Sequence, residues 1–179
     1  MRRIVVVGPS GAGKTAFAER LAGRLEVGHV ELDAIHHQPG WTQLPEEEFR
    51  RRVAIALDPE AWVVDGNYSK VRDVVWDRAD TVIILDYPRW LVMARLVPRT
   101  LGRIITRKEL WQGNRERWRN LFSRIPEDNI LLWSWTTHGK LRERHSRAME
   151  DPAYRHLQFL RLGRPGEARR LLEARKVGS

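Results

Sequence analysis

The chain has no cysteine. That excludes disulfides, a thiolate metal site and a cysteine nucleophile. No apolar run approaches the ~20 residues that a membrane-crossing helix needs, so no membrane partner is expected. The opening Met1-Arg2-Arg3-Ile4-Val5-Val6-Val7 imitates the start of a signal peptide, but its apolar part stops at Gly8, short of an h-region. Together these absences lead to the expectation of a cytoplasmic protein. Internal repeats, low-complexity tracts and long Pro/Gly/Ser linkers are also missing, which leaves a single domain over residues 1–179.

What is present fits that size. A domain of 179 residues buries roughly 70% of the surface its unfolded chain exposes, enough for a sizeable core. Lys plus Arg number 32 against 23 Asp plus Glu, a net charge of +9. A basic surface favours anionic partners such as nucleotides, nucleic acid or acidic metabolites. Arginine greatly outnumbers lysine, and its planar fork grips phosphate in a way lysine does not. The alternative is a set of solvated surface arginines with no ligand.

Short apolar runs alternate with helical spacing, the pattern of a parallel α/β sheet. Strands are predicted at Ile4–Val7, Val30–Leu32, Trp62–Val64, Thr81–Leu85 and Leu157–Leu162. Helices are predicted at Lys14–Leu25, Pro45–Leu57, Ser69–Trp76, Asn129–Met149 and Pro165–Arg175. Pro45 suits a first helical position, and Glu46, Glu47 and Glu48 suit a first turn. Residues 89–123 are mainly helical in pattern, interrupted near Pro98 and Gly102. They form the candidate lid or inserted region, and those two residues are its expected flexible points.

Gly8-Pro9-Ser10-Gly11-Ala12-Gly13-Lys14-Thr15 matches G-x-x-x-x-G-K-[ST] in full. Glycines let the backbone turn its N–H groups inward on phosphate oxygens. The helix that begins near Lys14 points its positive dipole end at the same anion. Lys14 reaches toward the β- and γ-phosphates, and the Thr15 hydroxyl is a Mg²⁺ ligand. With Ala16, the next helical residue, these positions make up the nucleotide-binding set. A β-branched strand before the loop and an amphipathic helix after it are the context the motif requires.

Further segments carry a resemblance. Asp65-Gly66-Asn67-Tyr68 resembles the Asp-Gly-Phe-Pro-Arg of nucleoside monophosphate kinases, with Phe, Pro and Arg absent. Arg99-Thr100-Leu101-Gly102-Arg103 resembles the Arg-x-x-Gly-Arg that opens the adenylate kinase lid. Ile83-Ile84-Leu85-Asp86-Tyr87-Pro88 is similar to the fourth strand and its exit in the same group. The chain thus resembles P-loop kinases of the adenylate kinase-like group. Glu31-Leu32-Asp33, Pro39-Gly40-Trp41 and Gly113-Asn114-Arg115 add a likeness to bacterial proteins labelled adenylate kinase or DNA topology modulation protein. The resemblance implies a three-layer fold with five parallel strands in the order 2-3-1-4-5, and the use of ATP and Mg²⁺. The P-loop would then sit at the carboxyl edge of the strands.

The same edge collects the other candidates. Asp33, just past the second strand, is a base for a hydroxyl acceptor, or else a helix N-cap. His36 and His37 form an adjacent pair whose side chains diverge, with no third ligand at metal spacing. His36 is therefore placed among the acceptor residues. Trp41 either stacks on a base or sugar or anchors a loop. Asp65, Gly66, Asn67 and Tyr68 are read as acceptor contacts, or as a turn chosen for its Asp-Gly chemistry. Asp86, ending the fourth strand, is the candidate for the Mg²⁺ shell, with Asp33 competing for it.

Arg95, Arg99 and Arg103 lie four apart and share a helix face; Arg107, Arg115, Arg117 and Arg119 follow. Arg99, Arg103 and Arg115 are the candidate phosphate clamps, because phosphoryl transfer needs cations around the moving group. Trp111 and Trp118 are seven apart, the spacing of a packing face, as against stacking on single-stranded nucleic acid.

The expectation from sequence is an ATP-dependent phosphotransferase acting on a small acceptor, with a nucleoside monophosphate first and nucleosides, sugars and other hydroxyl metabolites open. Alternatives are a nucleic-acid-associated ATPase or topology regulator, and a polynucleotide 5′-hydroxyl kinase. A nucleic-acid partner is possible on charge but unsupported by any recognisable module.

Overall fold

In the computed structural model, residues 1–107, 109–116, 123 and 129–174 are described. Arg117, Trp118 and Arg119 lie outside the described residues, and with them one half of the expected Trp111–Trp118 face. Five parallel strands stand in the order β2-β3-β1-β4-β5. They are β1 (Arg3–Val7), β2 (Gly28–Glu31), β3 (Trp62–Asp65), β4 (Thr81–Leu85) and β5 (Gln158–Leu162). The three central strands are β-branched runs buried on both faces, as expected where helices cover both sides of a parallel sheet.

Alternation along each strand sorts the core into two layers. Val5, Val7, Val64, Val82 and Ile84 pack with Phe49, Val53, Val75 and Trp76. The last four come from α3 (Glu46–Ala56) and α4 (Arg72–Trp76). Ile4, Val6, Val63, Ile83 and Leu85 pack with Phe17, Leu21, Val92 and Leu172. Those come from α1 (Lys14–Leu25), α5 (Arg89–Ile105) and α7 (Pro165–Ala174). The helix Ile130–Glu150, α6, packs along α5 and reaches the first layer through Ala148.

Three departures from the sequence reading bear on the site. First, β2 ends at Glu31, and Leu32–His36 is a five-residue helix, α2. The Leu32 side chain is 2% exposed and turns into the core instead of extending the strand. Second, Pro45 is the N-cap of α3 and not its first residue. Third, α5 runs unbroken past Pro98 and Gly102. Proline removes one hydrogen-bond donor, but Val92, Leu96, Thr100 and Ile104, spaced one turn apart and all buried, hold the helix onto the core. The two expected hinge points are therefore interior helical residues.

His145 on α6 is 5% exposed. Burial, then the neighbouring Arg72 charge, pushes its pKa from the ordinary 6.5 down to about 4; Arg144 and Lys14 act the same way and Asp86 opposes them. The unfolded chain takes up this proton near pH 6.5, whereas the folded chain resists it until about pH 4. Stability from this residue is thus complete above pH 6.5 and declines as the pH falls toward 4, by on the order of 2–3 kcal/mol. Urea unfolding at pH 7.5 and 4.5 is expected to show a smaller acid loss for His145→Gln than for the wild type. Equal losses would contradict the assignment.

Candidate active site

Because every strand is parallel, the residues that follow each one meet at the carboxyl edge, where open α/β sheets bind ligands. The loop from Gly8 to Gly13 leaves β1 there and enters α1 with Gly13 as N-cap. Gly8 has φ +149°, and a Cβ on it would lie 2.6 Å from the Leu85 carbonyl oxygen, so no side chain fits. Three side chains brace the loop. Arg95 on α5 donates to the Ala12 carbonyl at 3.3 Å. Buried Ser134 on α6 donates to the Ser10 carbonyl at 2.9 Å. Asn67 accepts from the Gly8 N–H at 3.2 Å and returns its own amide N–H to the Gly8 carbonyl.

That double contact revises the role expected for Asn67. Both ends of its amide engage Gly8, so it is first of all a clamp on the loop, with its second N–H and a remaining lone pair left for an acceptor. Gly66 also changes role. A Cβ there would lie 2.8 Å from Leu32 Cβ and 2.9 Å from its Cδ1. What comes close to Gly66 is the Leu32 side chain that starts α2.

Lys14 Nζ donates to the Pro9 carbonyl at 3.2 Å. Burial lowers its pKa; Asp33, Asp65 and Glu31 draw it back up, and Arg99 opposes them. The charges of three carboxylates and of Arg99 thus all act on the Lys14 ammonium. Gly8, Pro9, Gly11 and Ala12 are buried, Ser10, Lys14 and Thr15 are half-buried, and Gly13 and Ala16 are exposed.

The carboxylate beside Thr15 is Asp65, not Asp86. Thr15 Oγ1 lies 2.7 Å from Asp65 Oδ2 and 3.3 Å from Glu31 Oε1. Asp86 is occupied elsewhere: its Oδ2 accepts from Arg161 Nε at 2.7 Å and forms ion pairs with Arg161 Nη2 at 2.7 Å and Arg142 Nε at 3.1 Å. Asp65 is 2% exposed, and its Oδ1 makes no hydrogen bond. His29 Nε2 stands 3.4 Å away, a long ion-pair contact that raises the pKa of His29. Glu31 was missed as a site residue, although the segment Glu31-Leu32-Asp33 was singled out. Burial raises its pKa, and a hydrogen bond from Trp111 offsets that.

Asp33 lies in the first turn of α2, where its Oδ1 accepts the Tyr68 hydroxyl at 2.5 Å. Burial first, then the Asp33 charge, holds the Tyr68 phenol protonated. His37 Nε2 is 3.4 Å from the Tyr68 oxygen. Of the histidine pair, His37 is the member that faces this group. His36 is 3% exposed and packs against Phe49, with ring centroids 4.4 Å apart. Among the described residues no group of three or more His, Asp or Glu is placed to hold a metal by itself.

An aromatic wall stands next to Asp33. His37 stacks on Trp111 with centroids 5.5 Å apart, and Trp41 meets both rings edge-on. Trp41 is also a loop anchor: its backbone N–H donates to Asn114 Oδ1 at 2.9 Å and its indole to the Arg115 carbonyl at 3.2 Å. Trp111 lies in a 3₁₀ turn, Trp111–Gly113, and not in a helix. Trp133 and Trp135 do lie on α6, but are 40% and 50% exposed, with Arg89 over the Trp135 ring.

The three chosen arginines separate. Arg99 is exposed as a residue, yet its charge is partly desolvated. That desolvation, then the like charge of Arg103, lowers its pKa, while Glu116 and Asp33 raise it. Arg103 pairs with Glu116 at 3.1 Å, and exposed Arg115 pairs with Glu109. Only Arg99, of the three, is both without an ion-pair partner among the described residues and within electrostatic reach of Lys14 and Asp33.

No protein-family model and no curated protein matches the chain. Solved structures do. The shikimate kinase from Acinetobacter baumannii in complex with shikimate is 18% identical, with a TM-score of 0.56 over 97% of this chain and 90% of that one. A sugar kinase from Janibacter sp. HTCC2649 is 21% identical, with a TM-score of 0.51 over 97% and 91%. The shikimate kinase from Bacteroides thetaiotaomicron is 16% identical, with a TM-score of 0.53 over 97% and 95%. At these identities the likeness is one of fold. None of these three carries the adenylate kinase or topology-modulation label of the proteins that the sequence segments resemble.

Proposed function

We propose that the chain is an ATP-dependent phosphotransferase that moves the γ-phosphoryl group of ATP·Mg²⁺ to a hydroxyl of a small molecule. The observation that carries this reading is Asp33, held by the Tyr68 hydroxyl and within electrostatic reach of the P-loop Lys14. A hydroxyl acceptor needs a base at that point. A nucleoside monophosphate brings an oxygen that is already ionised, and a fixed carboxylate there repels it. The aromatic wall of His37, Trp41 and Trp111 suits the face of a ring that bears such hydroxyls.

In the proposed step the acceptor oxygen bonds to the γ-phosphorus as the bond to the β,γ-bridging oxygen breaks. ADP leaves with that electron pair, and the hydroxyl proton passes to Asp33. Tyr68 fixes one carboxylate oxygen and leaves the other for the proton. Lys14 and Arg99 offset the negative charge of the transferring group.

Mg²⁺ fits the residues around Thr15. Hard oxygen donors surround that hydroxyl, and the buried Asp65 Oδ1 lacks a hydrogen bond. Mg²⁺ is commonly held by one or two carboxylates together with substrate phosphates. Thr15, Asp65 and Glu31 would hold the ion, and it would neutralise phosphate charge.

The test is ADP release from ATP·Mg²⁺ with a panel of sugars, cyclic polyols including shikimate, nucleosides, nucleoside monophosphates, and single- and double-stranded DNA. A neutral or carboxylate-bearing polyol, sugar or nucleoside is expected to raise release at least about tenfold over the acceptor-free rate, a threshold well below what orienting a reactant can contribute. Stimulation by a monophosphate alone would return the acceptor to the adenylate kinase-like reading. Stimulation by DNA alone, or equal release with every addition, would overturn the small-molecule assignment.

A further inference from the structure

We infer that Trp111 is a positioning residue for the metal-side carboxylate: its indole N–H orients Glu31 toward Thr15, so that docking of the segment 109–116 and assembly of the P-loop's Mg²⁺ ligands are one event. The inference rests on the reading of Thr15, Asp65 and Glu31 given above.

Glu31 ends β2 and is half-buried. Its two oxygens have different partners: Oε1 lies 3.3 Å from Thr15 Oγ1, and Oε2 accepts from Trp111 Nε1 at 2.8 Å. Asp65 and Asp33 stand nearby and raise the pKa of Glu31 by their charge. Repulsion among three carboxylates favours turning Glu31, at the end of an edge strand, toward water, and among the described residues its side-chain donors are Trp111 and the Thr15 hydroxyl, whose single proton Asp65 shares at the shorter distance. An indole N–H is a donor only. It can neither bind a cation nor carry a proton in the reaction, so its effect on Glu31 is orientation.

The segment that bears Trp111 is fastened independently of Glu31. Asn114 is 4% exposed; its Nδ2 donates to the Gln38 and Trp111 carbonyls, both at 2.9 Å, and its Oδ1 accepts the Trp41 N–H. The Trp111 ring stacks on His37 at an interplanar angle of 22°. The acceptor-side loop 37–43 and the segment 109–116 thus hold one another, and a single hydrogen bond connects the pair to the carboxylate beside the nucleotide loop.

Trp111→Phe keeps the ring and its stack and removes only the N–H. Calorimetric titration with MgATP, and with ATP in EDTA, separates the metal-dependent part of binding. Trp111→Phe is expected to lose roughly tenfold or more in MgATP affinity, as for a hydrogen bond to a charged group, while metal-free ATP binds within about twofold of wild type, the scatter expected for a site outside the phosphate loop. Glu31→Gln leaves the Trp111 packing in place and is expected to lose the same metal-dependent part. The double variant is then expected to lose no more than either single one. If Trp111→Phe binds MgATP like the wild type, or the double variant shows the two losses summed, the inference is overturned. Should Trp111→Phe not fold, an undiminished MgATP preference in Glu31→Gln overturns it equally. Wild-type protein that binds no MgATP refutes the proposed function instead, and the two failures are distinct.

Discussion

Lys14→Met is expected to lower phosphoryl transfer by about 10²–10³-fold or more, the range seen when one preorganised charge-stabilising donor is removed. The same substitution is expected to leave the fold intact and to raise the unfolding temperature. The two effects share one cause. Burial lowers the pKa of Lys14, which means that its ammonium gives up hydration in the folded state, and that is costly. A methionine of similar reach carries no such cost. For ATP the balance reverses, because Asp33, Asp65 and Glu31 all lie close enough to act on Lys14. Without it, incoming phosphates meet three carboxylates, with Arg95 and Arg99 among the cations left nearby. Turnover and thermal unfolding measured on one preparation decide the matter. Turnover within tenfold of wild type, or a destabilised protein, would show that Lys14 is a structural residue.

Asp33→Asn is the second large effect, about 10²–10⁴-fold in kcat if Asp33 takes the acceptor's proton. The amide keeps the size of the carboxylate and can still accept from Tyr68, so KM for ATP is expected to stay close to its original value. The result is informative in either direction. A kcat reduced by less than tenfold means that the acceptor oxygen arrives already ionised, which is the property of a phosphate acceptor. Tyr68→Phe serves as a companion: it frees the carboxylate oxygen that Tyr68 now holds and is expected to cost less than Asp33→Asn.

The parts of this molecule that depend on neighbours in sequence were the readable ones. The run Ile4 to Val7, the glycine spacing and the helix from Lys14 to Leu25 each carry their own signal, and the resemblance supplied the strand order. What escaped was either too short for periodicity or dependent on partners far along the chain. A five-residue helix such as Leu32–His36 has barely one turn in which to show a pattern, so Asp33 could be read only as lying just past the second strand or capping a helix. Asp65 ends β3 and Asp86 directly follows β4, the two strands that flank β1, and no local signal tells which of them stands beside Thr15. Arg161 of the adjoining β5, with Arg142, occupies Asp86 and leaves Thr15 to Asp65. Asn67 is separated from Gly8 by 59 positions and Trp111 from Glu31 by 80. No local rule predicts that those side chains are already engaged. The lid arginines illustrate the same limit, since one charge pattern contains Arg99 together with Arg103 and Arg115, whose charge is balanced by Glu116 and Glu109.

The bracing of the P-loop by Asn67, Ser134 and Arg95 has a kinetic and calorimetric consequence. A loop held on three sides by separate parts of the fold has given up its conformational freedom when the protein folds, not when the nucleotide arrives. Association should therefore resemble the filling of a ready cavity: a single fast phase, little entropy lost by the main chain, and slow amide exchange at Gly8 even in nucleotide-free protein. Rearrangement during turnover is expected instead at the other rim of the cleft, where residues 37–43 and 109–116 hold each other and reach the rest of the fold through contacts such as His37 with Tyr68, Trp111 with Glu31 and Glu116 with Arg103.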